Sequence, residues 1–267
     1  DEVDSIPVII PDHPREEKKF FELIERLIKN GKPFIADSIL EPINFGFTDS
    51  LVRYQNLRKK FPDIEIMIGI GNITELTHAD TAGMNAILFG IASELDINYA
   101  LCTQVSEHCN KAIIEGNFAR RIMHTTKQYN MPPKDISNKL LNLHERKPFP
   151  YSTEELKEMW GNVKDKNYRI YVNTEGIHVF NNKNFYTEKD ATELYQYLDI
   201  KNDDGHAYYL GMELAKAQIA FQLGKRYDQD EMLKWGCSVD VSDEDIMKFK
   251  TAGHTMRKLK TKKEDKK

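Results

Sequence analysis

Short apolar runs alternate with amphipathic stretches along the first 130 residues, the pattern of a chain that alternates strand and helix. Ile6-Pro7-Val8-Ile9-Ile10, Pro33-Phe34-Ile35-Ala36, Ile64 to Ile70, and Asn98-Tyr99-Ala100-Leu101-Cys102 read as strands. Between and after them helices are predicted from about Arg15 to Lys29, stopped by Asn30-Gly31, from Asp49 to about Lys60, from Asp80 to Leu95, and from about Glu107 to Tyr129. The third strand is apolar without alternation, so it belongs in a parallel sheet covered on both faces. Ligands of such sheets sit at the carboxyl ends of the strands, in the loops that lead into helices. Asp37 follows the second strand directly, and Asn72 and Glu75 stand in the polar loop after the third.

Four βα units make half of an eight-stranded barrel, for which about 200 to 250 residues are usual. Three explanations stay open. The chain is the C-terminal part of a longer polypeptide, the other strands come from another chain, or the sheet is open and doubly wound.

Beyond Met131-Pro132-Pro133 the pattern changes. A charged, Pro-bearing segment with a short helix from Thr153 to Trp160 reads as an inter-domain linker over 143–167. Tyr168-Arg169-Ile170-Tyr171-Val172 and Gly176-Ile177-His178-Val179-Phe180 alternate as a β-hairpin or meander pair, with a turn at Asn181-Asn182. Two helices are then predicted, one from about Ala207 to Leu223 with Gly224 as its stop. The expected division is a βα part over 1–142, the linker, a small α+β domain over 168–240, and a basic tail over 241–267.

With 267 residues, 40% hydrophobic and 30% charged, the chain can bury one sizeable core and a smaller one. A net charge of −4 without a basic stripe argues against nucleic acid as a partner. No run approaches the roughly 20 apolar residues that cross a bilayer, and Asp1-Glu2-Val3-Asp4 does not open a signal peptide, so a cytoplasmic protein is expected. Cys102, Cys109 and Cys237 have no framework spacing and read as reduced thiols. His108-Cys109 beside Cys102 fits no zinc pattern, so no metal is expected. Asp80-Thr81 suits a helix N-cap, Asn85 is expected to face solvent or to pack, and Trp160 and Trp235 read as packing anchors. His206, Lys216, Lys225 and Arg226 suit either an anion or the wet face of a helix.

Asp37-Ser38-Ile39-Leu40-Glu41-Pro42-Ile43-Asn44-Phe45-Gly46, followed one βα unit later by Gly69-Ile70-Gly71-Asn72, resembles the C-terminal half of the pterin-binding TIM barrels: the dihydropteroate synthases and the methyltetrahydrofolate:corrinoid methyltransferases. Including the stretch from Asn72 to Asn85, the chain is most similar to dihydropteroate synthase-like proteins of archaea and methylotrophs, over roughly residues 5 to 130. The run from His206 to Ala217, with Gly224-Lys225-Arg226-Tyr227-Asp228-Gln229-Asp230, resembles the extra C-terminal domain of the same proteins.

The resemblance implies an α/β chain of barrel type with a smaller α+β domain, and a tetrahydropterin of the tetrahydromethanopterin or folate type as ligand. It gives Asp37 the amino-pyrimidine edge of the pterin, whose adjacent N–H donors a fixed carboxylate can accept in parallel. Asn72 would address the ring nitrogens, because an amide both donates and accepts. Gly69 and Gly71 would let the backbone pass under the flat ring. Glu75 is a further candidate, and no catalytic residue is assigned. Two departures separate the chain from true dihydropteroate synthases. Gly71-Asn72-Ile73 replaces their Ser-Arg-Lys run, and Thr103-Gln104-Val105-Ser106 replaces their Arg-x-His. The asparagine is nearer to the methyltransferases.

Two readings result: a pterin-dependent transferase acting in carrier biosynthesis or methyl transfer, or a non-catalytic assembly module with a vestigial site. A methyltransferase would need a separate corrinoid protein, since no Asp-x-His-x-x-Gly pattern is present. A homodimer or a missing N-terminal half would complete the barrel.

Overall fold

The computed structural model describes residues 5–200 and 203–239, and the chain parts into two compact units between Leu140 and Leu141. The expected basic tail over 241–267 lies outside the described residues.

The first unit runs β1 (Val8–Ile9), α1 (Glu17–Lys29), β2 (Ile35–Ala36), α2 (Phe47–Lys60), β3 (Met67–Gly69), α3 (Gly71–Thr74), α4 (Thr81–Glu94), β4 (Tyr99–Leu101) and α5 (Ala112–Tyr129). Val8 pairs with Ile35, Ala36 bridges to Ile66 just ahead of β3, and Met67 pairs with Tyr99, every pairing parallel. The strands therefore follow one another across the sheet in chain order. A doubly wound sheet reverses direction after its first strands, so that alternative is set aside. The sheet does not close among the described residues, which form the expected run of βα units as an open sheet. Four strands are too few to curl round on themselves. Among the described residues β4 is a bare edge, with Tyr99 46% and Leu101 54% exposed.

Apolar residues from one face of this sheet and from its helices form one core. Ile66, Ile68 and Ile70 are fully buried with Ile24 of α1 and Tyr54 and Leu57 of α2. α4 lies against α5, where Gly116 leaves room for the Phe89 ring: a Cβ there would come within 2.9 Å of it. Asn85 is buried in the same seam and donates to the carbonyl of Ala112 at 3.2 Å, so it packs rather than faces solvent. Asp80 occupies the N-cap position of α4 without a side-chain capping bond, contrary to expectation. Instead the Thr81 hydroxyl donates to the buried carboxylate of Glu115. The long helix predicted from Glu107 begins at Ala112, after a separate 3-10 turn over Glu107–Cys109.

The second unit holds α6 (Thr153–Gly161), β5 (Arg169–Asn173), β6 (Gly176–Phe180), β7 (Phe185–Glu188), a 3-10 helix over Ala191–Tyr197 and α7 (Asp204–Leu223). The strands form an antiparallel meander in the order β5-β6-β7. Ile170, Val172, Ile177 and Val179 share a core with Leu210, Leu214 and Ala217 of α7. α6, predicted inside a linker, is tied into this unit. Ser152 and Glu155 close a capping box at its start, the Thr153 hydroxyl accepts from the Asn173 amide, and the Trp160 indole donates to the Asn181 carbonyl. Gly224 ends α7 in the left-handed conformation, φ 59°, as the sequence predicts.

Lys225, next along, is fully buried and donates to the carbonyls of Asn142 and Leu143 at 3.0 and 2.9 Å, with its ammonium 4.5 Å from the Trp235 ring centre. It is an internal tie rather than part of a wet helix face. Among the described residues no helix is long and apolar enough to cross a membrane.

Candidate functional site

β2 delivers Asp37 to its carboxyl end, and the chain then turns sharply. The Asp37 Oδ1 accepts the Ile39 backbone N–H at 2.8 Å, an Asx turn that carries Ile39 to φ 62°. A β-branched residue at positive φ is a genuine outlier, costing on the order of 1–3 kcal/mol, and such strain is characteristic of functional loops. Arg53 of α2 holds the turn from behind, donating to the carbonyls of Ser38 and Ile39 and to Glu41 at 2.8 Å.

Tyr54, beside Arg53, is fully buried and donates its hydroxyl to the same Asp37 Oδ1 at 2.5 Å. Burial raises the Asp37 carboxyl above its ordinary value, while the Tyr54 and Ile39 bonds pull it back. Burial together with the Asp37 charge raises the phenol of Tyr54 as well, which keeps it a donor. With Oδ1 taken twice, Asp37 Oδ2 carries no hydrogen bond and is not sealed from solvent.

Asn72 lies in the short helix α3 after β3 and donates to the Leu40 carbonyl at 2.7 Å, which stitches the loop after β3 to the loop after β2. Gly69, Gly71, Asn72 and Glu75 line a hollow of about 380 Å³ together with Leu101, Thr103, Val105 and Ser106. Asp37 is not part of that lining. Gly71 is required there, since a Cβ would collide with the Thr103 hydroxyl.

Glu75 accepts the backbone N–H groups of Val105 and Ser106 at 2.8 Å each, one on each oxygen. These bonds hold its carboxyl well below the usual range, at about 2. Its visible role is to anchor the loop after β4. The Cys109 thiol nearby is pushed up to about 11, chiefly by burial, and donates to the Thr74 carbonyl, so it is no nucleophile at neutral pH. Among the described residues no group of three or more His, Cys, Asp or Glu could hold a metal ion.

Sequence reasoning missed Arg53 and Tyr54. A signal was present: Ser50, Arg53, Tyr54 and Leu57 are spaced i, i+3, i+4, i+7 and form the buried stripe of α2.

Residues 161–230 match the family described as PterinBD-DUF4346. That stretch of the chain is similar to a domain of pterin-binding type. The resemblance read from the sequence is thereby borne out. The PterinBD-DUF4346 match lies wholly in the second unit, whereas Asp37 and Asn72 stand in the first. The chain is also 30% identical over 240 residues to an uncharacterized protein of Methanocaldococcus jannaschii, a match that takes in 80% of this chain and 45% of the relative. That share exceeds what either unit holds, so the likeness reaches beyond the PterinBD-DUF4346 region into the βα unit. The chain spans less than half the length of that relative. No solved structure matches.

Proposed function

We propose that the first unit binds a reduced pterin of the tetrahydromethanopterin or folate type at the carboxyl ends of β2 and β3, within a cytoplasmic transferase of carrier biosynthesis or methyl transfer. The observation that carries this reading is the free Oδ2 of a buried Asp37, at the head of the strained Ile39 turn and one loop away from Asn72. Oδ2 would accept an N–H of the amino-pyrimidine edge, a charge-assisted bond stronger than a neutral one. Asn72, Gly69 and Gly71 would line the flat ring, and Glu75 would act by holding the loop after β4. The pterin supplies the one-carbon or ring chemistry, and a corrinoid protein would be the methyl acceptor in the methyltransferase form.

The in-order parallel sheet with its bare β4 edge supports the further reading that these units are part of a barrel, completed by more βα units of a longer polypeptide or by a second copy. The rival is a scaffold with a vestigial site. It draws support from Asn72 and Glu75, whose side chains are already engaged by the protein's own backbone.

Calorimetric titration with tetrahydromethanopterin, tetrahydrofolate and their methyl derivatives tests the proposal, beside Asp37→Asn. Micromolar binding, weakened by about 1.5 kcal/mol or more in the variant, is expected for a lost charged hydrogen bond. No binding by the longest native form of the protein would leave the scaffold in front.

A further inference from the structure

Tyr54 deepens the reading of the same site, and it depends on the pterin proposal only for the identity of the ligand. Its ring belongs to the main core of the first unit and is fully buried, a place that a phenylalanine would fill equally well. What distinguishes tyrosine is a hydroxyl that must find partners in a dry environment. The partner it finds is Oδ1 of Asp37, the candidate ligand residue at the end of β2.

Asp37 did not need this bond to be satisfied within the loop, because the Ile39 amide already reaches the same oxygen. The second donor on Oδ1 fixes the plane of the carboxylate. An Asp side chain held by one bond can rotate about its last torsion, which is broad. Held by two donors from different elements, it cannot rotate without breaking one of them.

We propose that Tyr54 is the positioning residue of this site: its hydroxyl locks Asp37 through Oδ1 and so presents Oδ2 to the N–H donors of a planar heterocycle. The charged groups beside this corner, Arg53 and Glu41, are paired with each other at 2.8 Å. Tyr54 is thus the group that joins Asp37 to α2.

The test uses the whole chain with Tyr54→Phe, which keeps the ring and removes only the hydroxyl. The Asp37 carboxyl is followed without ligand by carbon-13 NMR, its signal assigned by loss in Asp37→Asn. The midpoint should move to higher pH in Tyr54→Phe, because a bond that favours the ionised form is gone. Calorimetry with tetrahydrofolate should show binding weakened about five- to tenfold at neutral pH, the scale of one hydrogen bond. An unchanged Asp37 midpoint would overturn the proposal.

If tetrahydrofolate fails to bind even the unsubstituted protein, the pterin reading falls while the carboxyl titration still decides the role of Tyr54. Should Tyr54→Phe not fold, the same bond is read from its other end, as the shift of the Tyr54 phenol carbon on going to Asp37→Asn. A phenol carbon that does not move would equally overturn it.

Discussion

Arg53 Nη2 lies 3.0 Å from the carbonyl oxygen of Ile39, the residue that carries φ 62°. A cation on α2 thus braces the one strongly disfavoured turn at the mouth of the candidate site. Arg53→Ala removes bonds to two carbonyls and to Glu41, so it should destabilise the first unit by about 2–4 kcal/mol. The brace matters less once the turn is relaxed. In an Ile39→Gly background the same substitution should cost about 1 kcal/mol less. A double-mutant cycle by urea unfolding measures this, and strict additivity would show that Arg53 does not hold the strain.

Gly71 and Thr103 approach too closely for any side chain between them. Gly71→Ala should cost about 1–3 kcal/mol through overpacking against a β-branched neighbour that has little rotamer freedom. Adding Thr103→Ala should restore a large part of it. Thermal melts of the two single variants and the double variant decide the point.

Glu75 gives a pH signature. Its carboxyl, at about 2 in the fold against an ordinary 4.5, contributes stability that is present above 4.5 and fades as pH falls towards 2. The amide proton shifts of Val105 and Ser106 should titrate with that low midpoint. Glu75→Gln should abolish the titration, and the gap in stability between the two proteins should close at the acid end of the window.

Lys225 reports on the second unit. Lys225→Met retains most of the packing but leaves the Asn142 and Leu143 carbonyls without their donor, a loss of about 2–3 kcal/mol. Burial lowers the folded pKa of this lysine, so the unfolded chain holds its proton more tightly. Stability contributed at this position should therefore rise as pH climbs through the folded value towards 10.5, and the rise should vanish in the variant. Denaturant midpoints across alkaline pH check the direction.

The alternating segments of the first unit were legible because each strand and helix announces itself locally, and the candidate Asp37 and Asn72 were legible because strand ends are where such folds keep polar residues. Arg53 and Tyr54 were not, since polar side chains on a helix face solvent by default and only a loop 12 to 17 residues away gives these two a reason to turn inward. β7 escaped notice because Phe185-Tyr186-Thr187-Glu188 follows a turn that could equally have led into a helix. The helix α6 was read correctly as a helix and placed in a linker. Its attachment depends on Trp160 reaching Asn181, a contact across 21 residues that composition does not disclose.

The two sheets treat their outer strands differently. Gln229 lays its side-chain amide along β5, accepting the Ile170 N–H at 2.9 Å and donating to the Tyr168 carbonyl at 3.1 Å, and so stands in for one residue of a missing neighbour. A borrowed amide of this kind blocks the backbone from recruiting a strange chain. Among the described residues β4 has no such guard, and Tyr99 and Leu101 add apolar surface to its open backbone. Handled by itself, this polypeptide should clump from its first unit and not from its second, which makes β4 the place to put a lysine when soluble material is wanted.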